Sequence, residues 1–211
     1  MVSAVEALAG DQHGVVSRAQ AAALGADKER IRREVAVGRW TTLGLHTVAV
    51  HRGPPPERAW WRTALIEVGS NAALDGTTAL RAAGLEGYTD DVHASVLHGW
   101  RPRRVRAVRV HELRGWSEGD VVAAGIRRVR PEVAAVRAAT WARTDRQAAL
   151  ILVMTVQQRI AAPRAMLAQL KAVPASAAPW IGHRCPARGR VRRPSPRRAR
   201  LRPDVPTTRA S

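Results

Sequence analysis

Gln12-His13-Gly14-Val15-Val16-Ser17-Arg18-Ala19-Gln20, continued by Leu24-Gly25-Ala26-Asp27, by Lys28 to Val37 and by Gly38-Arg39-Trp40, is the stretch on which the fold turns. Ser17, with Gln20 at the third helical position, forms a capping box that starts one helix. Gly25 ends that helix, because glycine accepts the left-handed conformation of a helix end without steric cost. Asp27 caps the next helix. Only a tight Gly25-Ala26 turn separates the two, which is the joint of a helix-turn-helix. In the second helix Ile31 and Val35 stand four apart and face inward. Arg30, Arg32 and Arg33 lie at the sides and outside, with Lys28 at the start, and Gly38 stops the helix. Arg39-Trp40-Thr41-Thr42 and Leu45 to Val50 then read as two short strands around Leu43-Gly44, a wing.

A basic helix behind a tight turn can enter a major groove, where its arginines meet phosphates or base edges. The expected DNA contacts are Lys28, Arg30, Arg32 and Arg33 from that helix, then Arg39, Thr41 and Thr42 from the wing. Ser17, Arg18 and Gln20 add contacts from the start of the preceding helix. The pattern also fits a small helical domain with a solvated basic face, since Glu29 and Glu34 offset part of the helix's charge.

Gly14-Val15-Val16-Ser17-Arg18-Ala19-Gln20, Leu24-Gly25, Ile31-Arg32-Arg33 and Gly38-Arg39-Trp40 together resemble the N-terminal winged helix of AbiEi-type antitoxins. The residues through about Val173 look like the region that follows this winged helix in actinobacterial proteins. Many relatives carry a Gly-aliphatic-Tyr turn after the Trp; here Gly44-Leu45-His46-Thr47 stands in its place. The resemblance implies a DNA-binding regulator, a nucleotidyltransferase-like toxin as counterpart, and often a nuclease-like domain downstream.

Composition sets bounds on this reading. The 211 residues carry a net charge of +18, which points first to nucleic acid and second to an anionic membrane surface. Residues 174–211 hold ten arginines against one aspartate, half of that excess. Of 35 cationic residues only Lys28 and Lys171 are lysines, and Phe is absent. Such usage reflects GC-rich codons as much as binding. Cys185 is the single cysteine, so there is no internal disulfide and no cysteine-based zinc cluster, as in a reducing cytoplasm. No signal peptide is legible, and Leu150-Ile151-Leu152-Val153-Met154 is far too short to span a bilayer, so no membrane partner is expected.

Outward from the central stretch, Ser3 and Glu6 box the start of a short helix over Ser3 to Ala9, and Val15-Val16 forms a strand. Gly53-Pro54-Pro55-Pro56 marks a boundary. Glu57 to Val68 is an amphipathic helix with Trp60, Trp61, Ala64, Leu65 and Val68 as its apolar stripe, ended by Gly69. Thr77 to Ala83 is a short helix. Val92 to Leu97 and Val108 to His111 are strands, with Arg101, Arg103, Arg104 and Arg106 between them as a second possible basic surface. That surface reads equally as a solvated hairpin rim. Strands at Val121 to Ala124 and Ile126 to Val129 flank Gly125. Helices follow from Pro131, from Thr144 boxed by Gln147 and running to Ile160, and from Pro163 to about Val173 with Met166, Leu167 and Leu170 apolar.

The fold class read from this is α+β: a winged helix-turn-helix over 1–52, a mixed α/β domain over 57–173, and a disordered Arg/Pro-rich tail over 174–211. The tail fits a nonspecific nucleic-acid binder, an inert linker or a frameshift product. The frameshift is preferred because the resemblance implies a nuclease-like domain at that place, so the chain reads as a truncated copy.

No catalytic set, metal site or cofactor motif is legible. Gln169-Leu170-Lys171 matches half of a restriction-type nuclease signature by letter, but it falls in a helix, as does Asp145. His93 and His98 lack metal-ligand spacing and a convincing carboxylate. The expectation is therefore a cytoplasmic DNA-binding regulator that is not an enzyme. An inactive remnant of a winged-helix-targeted endonuclease and a protein-interaction module are the alternatives.

Overall fold

A computed structural model describes residues 3–51, 53–115, 117–122 and 124–172. The expected tail lies outside the described residues. The chain is a mixed α/β protein with two sheets. Among the described residues no helix is long and apolar enough to cross a membrane.

The N-terminal part runs α1 (Ala4–Asp11), β1 (Val15–Ser17), α2 (Arg18–Ala23), α3 (Lys28–Ala36), β2 (Thr41–Thr42) and β3 (Thr47–Ala49). The three strands form one antiparallel sheet in the order β1-β3-β2, with Val16 opposite Val48 and Thr42 also opposite Val48. Helix, tight turn, helix and strand pair thus occur in the order the sequence predicts. The wing strands are shorter than expected, because Arg39-Trp40 and Leu45-His46 turn rather than pair. Trp40 instead enters the small core with Val5, Ala9, Val16, Ala21, Ala26, Ile31 and Val48. Val35 is only partly buried against it.

The second part runs α4 (Glu57–Val68), β4 (Ala73–Leu74), α5 (Gly76–Ala82), β5 (Val92–Leu97), β6 (Val108–Leu113), a single 3-10 turn, β7 (Val121–Val122), β8 (Arg128–Val129), α6 (Pro131–Trp141), α7 (Asp145–Gln157) and α8 (Pro163–Ala172). Its sheet is mixed, in the order β6-β5-β4-β8-β7. Leu74, Leu80, Val96, Val129 and Ile151 are fully buried at its centre. Truncating any one of the larger of these to Ala costs about 2–5 kcal/mol.

Several expectations are corrected. Strands β5 and β6 run parallel, from Val92 beside Val108 to Leu97 beside Leu113. Residues 98–107 are therefore a crossover, not a hairpin rim, since only antiparallel neighbours can be joined by a hairpin. Trp60 is 46% exposed, because the buried face of α4 centres on Trp61, Ala64, Leu65 and Val68. Helix α7 stops at Gln157: Arg159 takes a left-handed φ of 58° and Ile160 N–H reaches back to Thr155 O. Gln147 does not close the expected box on Thr144; its Oε1 accepts from Arg143 N–H and its Nε2 donates to Tyr88 Oη. Leu167 and Leu170 are exposed, lining an open apolar groove with Met166, Val136, Leu152 and Val156.

Candidate nucleic-acid interface

Local chemistry fixes the start of α2. Ser17 Oγ accepts from Gln20 N–H at 3.0 Å, and Gln20 Oε1 accepts from Ser17 N–H at 2.8 Å. Gln20 Nε2 also points inward, to Gln12 Oε1 at 3.4 Å. The side chains of both expected contact residues are thus committed to holding the helix. Arg18 is committed in part: its Nε donates to Leu45 O at 3.0 Å and its Nη2 to Thr42 Oγ1 at 3.5 Å. Arg18 thereby fastens α2 to the turn between β2 and β3.

Asp27 Oδ1 accepts from Arg30 N–H at 2.7 Å and caps α3, while Gly25 makes the turn at φ 81°. Along α3 the cations differ in availability. Lys28 and Arg33 are exposed and make no ion pair among the described residues. Arg32 is exposed but bonded to Glu29 at 2.7 Å. Arg30 is half-buried, unlike Lys28, Arg32 and Arg33. Arg39 grips Glu34 with two parallel bonds of 2.5 and 3.1 Å, which hold the Glu34 carboxyl below its usual range. Thr41 and Thr42 are exposed on β2.

The turn between β2 and β3 is latched from outside the N-terminal part, a feature the sequence reading missed. Glu67, buried near the end of α4, accepts from His46 N–H at 2.7 Å and from Thr47 Oγ1 at 2.6 Å. Gly44 lies so close that a Cβ there would sit 2.4 Å from Glu67 Oε1. Glu67 alternates with nothing and belongs to no motif. Its one signal is an acidic residue on the apolar side of an amphipathic helix.

The second basic surface meets α4 at the same end. Arg103 Nε donates to Glu67 O at 2.6 Å, and its Nη2 donates to Ile66 O at 2.7 Å. Arg103 therefore satisfies the last carbonyls of a helix instead of standing free. Arg101, Arg104 and Arg106 are exposed and make no ion pair among the described residues. The structure thus brings the β2–β3 turn and the basic crossover to one place, the C-terminal end of α4.

A buried polar cluster was also missed. Asp75 is fully buried and accepts from Gly76 N–H, Ser95 Oγ and Arg137 Nη1, at 2.7, 2.6 and 2.9 Å. Burial holds its carboxyl above the usual carboxylate range, and Arg137, Ser95 and Gly76 offset only part of that rise. Alongside, His93 Nδ1 lies 3.0 Å from His111 Nε2, and Trp141 stacks on His111 with ring centres 3.5 Å apart. Asp90 Oδ2 lies 3.5 Å from His93 Nε2, and one of the two facing ring nitrogens of His93 and His111 donates to the other. Burial pushes His111 down to about 3 and His93 down as well. A carboxylate thus does stand near His93, contrary to the sequence reading. No spacing rule would join Asp75, Ser95, His111 and Arg137, because sheet register and helix packing bring them together.

No family model matches this chain, and no curated protein does. Among solved structures it is similar to the crystal structure of the RV2827C protein from Mycobacterium tuberculosis, at 18% identity and a TM-score of 0.49, over 83% of this chain and 72% of that one.

Proposed function

We propose that this chain is a DNA-binding transcriptional regulator of the kind its sequence resembles, the AbiEi-type antitoxins, working on promoter DNA in the cytoplasm. The observation that carries the reading is α3 itself. It follows a four-residue turn, precedes a strand pair, and offers Lys28 and Arg33 to solvent with no acidic partner among the described residues. In the proposed complex α3 enters a major groove. Lys28, Arg32 and Arg33 are its contacts, and Arg18, Thr41 and Thr42 meet the flanking backbone. Arg30, half-buried, is the least engaged of the α3 cations. The resemblance supports repression of the protein's own promoter, with a nucleotidyltransferase-like toxin as counterpart. No reaction is assigned to the chain.

The test compares the full chain with a Lys28→Ala, Arg32→Ala, Arg33→Ala variant on its upstream DNA and on scrambled duplex, at two salt concentrations. The variant is expected to lose the preference for upstream DNA. Its salt slope should become shallower by roughly 2–3, since each lost phosphate contact removes about 0.9. Equal binding to both DNAs, unchanged in the variant, would sink the reading.

A further inference from the structure

The β5–β6 crossover encloses a cleft of about 620 Å³ lined by His98, Trp100, Arg101, Arg103, Arg104 and Glu112. A second cleft of about 430 Å³ lies against the end of α4 and shares Gly99, Trp100, Arg101 and Arg103 with the first. Trp100 is 43% exposed and lines both. Leaving a large amphipathic ring in solvent forgoes much apolar burial, so an exposed Trp in a concave basic site calls for a flat partner.

We propose that this cleft binds single-stranded nucleic acid, with a base stacked on Trp100 and its flanking phosphates on Arg101 and Arg104. Three observations support that class. The free cations are guanidiniums, which suit phosphates and stack on aromatic faces. The two clefts that share Trp100, of about 620 and 430 Å³, give room for more than one nucleotide. The site is also preformed. Arg103 donates from its guanidinium to Ile66 O and Glu67 O, and from its main-chain N–H to Val68 O; Trp100 N–H donates to Leu97 O, and His98 N–H to Leu113 O. A loop held at so many points gives up little entropy on binding. A duplex keeps its bases stacked inside and can offer Trp100 nothing, whereas a single strand offers an open π-face at every base. This site is separate from α3, and its test does not depend on that reading.

The experiment measures binding of the full chain to a labelled 12-nucleotide single strand and to the matching duplex, by anisotropy, over a range of salt. Trp100→Ala is expected to weaken single-strand binding about 5- to 150-fold, the equivalent of about 1–3 kcal/mol for one stacked base. Duplex binding should be unchanged. Trp100→Phe should restore most of the affinity, which a folding defect would not allow. Arg101→Ala with Arg104→Ala should reduce the single-strand salt slope by about 1.4. If Trp100→Ala leaves single-strand binding unchanged, or weakens strand and duplex alike, the proposal is overturned. A 12-residue polyglutamate peptide competing as well as the oligonucleotide, whether or not Trp100 is present, would overturn it too.

Discussion

The hydroxyl of Thr47 donates to the carboxylate of Glu67 at 2.6 Å, although one belongs to the small antiparallel sheet and the other to α4. Thr47 is fully buried, so no water can replace this acceptor. His46 N–H uses the same oxygen. The bond explains why Gly44 must be glycine at a position where φ is not the reason: a Cβ would stand 2.4 Å from Glu67 Oε1 and 2.8 Å from Thr47 Oγ1.

Gly44→Ala should therefore destabilise the chain by about 1–3 kcal/mol, the range for an added methyl in a filled site. Glu67→Ala removes the acceptor and leaves a buried hydroxyl unmet, at about 1–3 kcal/mol. Urea unfolding of both single variants and the double variant checks this. With Glu67 truncated, the extra methyl at 44 should cost clearly less than it does alone.

Asp75 predicts a larger effect. It is the buried partner of Arg137, whose other acid, Asp120, is 3.7 Å away. Asp75→Ala strands a mostly buried guanidinium and should cost about 3–5 kcal/mol. A large fall in the urea midpoint is expected. A midpoint within experimental error of the parent would show that Asp120 alone suffices.

The histidine pair gives an acid limit. His111 is held neutral in the fold, at about 3 against 6.5 as its ordinary value. An unfolded chain therefore binds this proton more readily, and stability contributed by the neutral form is full above about pH 6.5 and declines as pH falls toward 3. At about 1.36 kcal/mol per unit the ceiling is about 5 kcal/mol, with less expected because the ring is partly exposed. Thermal unfolding should show a Tm that falls below pH 6.5, with proton uptake on unfolding. His111→Gln should flatten that slope between pH 6 and 4, whatever it does to the Tm at pH 7.

Glu34 occupies the fork of Arg39. On the proposed reading Glu34→Gln loosens that grip and removes a negative charge from α3. Duplex affinity should rise, and the salt slope should steepen by about 0.9 if Arg39 then takes a phosphate. An unchanged slope would mean that Arg39 does not reach the backbone.

Local signals carried most of the fold. The boxes at Ser3–Glu6 and Ser17–Gln20 and the cap at Asp27 satisfy orphan N–H groups within one turn, and Pro131 at a first helical position removes one, so sequence alone reveals them. Strand β4, two residues long, has no period to read. The parallel pairing of β5 with β6 depends on contacts far apart in sequence, and the arginines between them looked the same in either topology. Within the candidate interface, α3 was legible as a basic helix, but which of its cations are free was not. That depends on Glu29, Glu34 and the neighbouring α1, whose reach is set by side-chain geometry. Glu67 was passed over because its partners, His46 and Thr47, lie on another element.

The three prolines before α4 mark a natural hinge in the chain, yet the end of that helix removes the freedom. Two adjacent residues there hold the His46 amide, through a carboxylate, and the Arg103 amide, through the Val68 carbonyl. Neither amide can meet solvent deuterium without loosening the same turn of helix. In a hydrogen-exchange experiment the two should open as one event, with a shared free energy and a shared response to denaturant, as a single cooperative unit would.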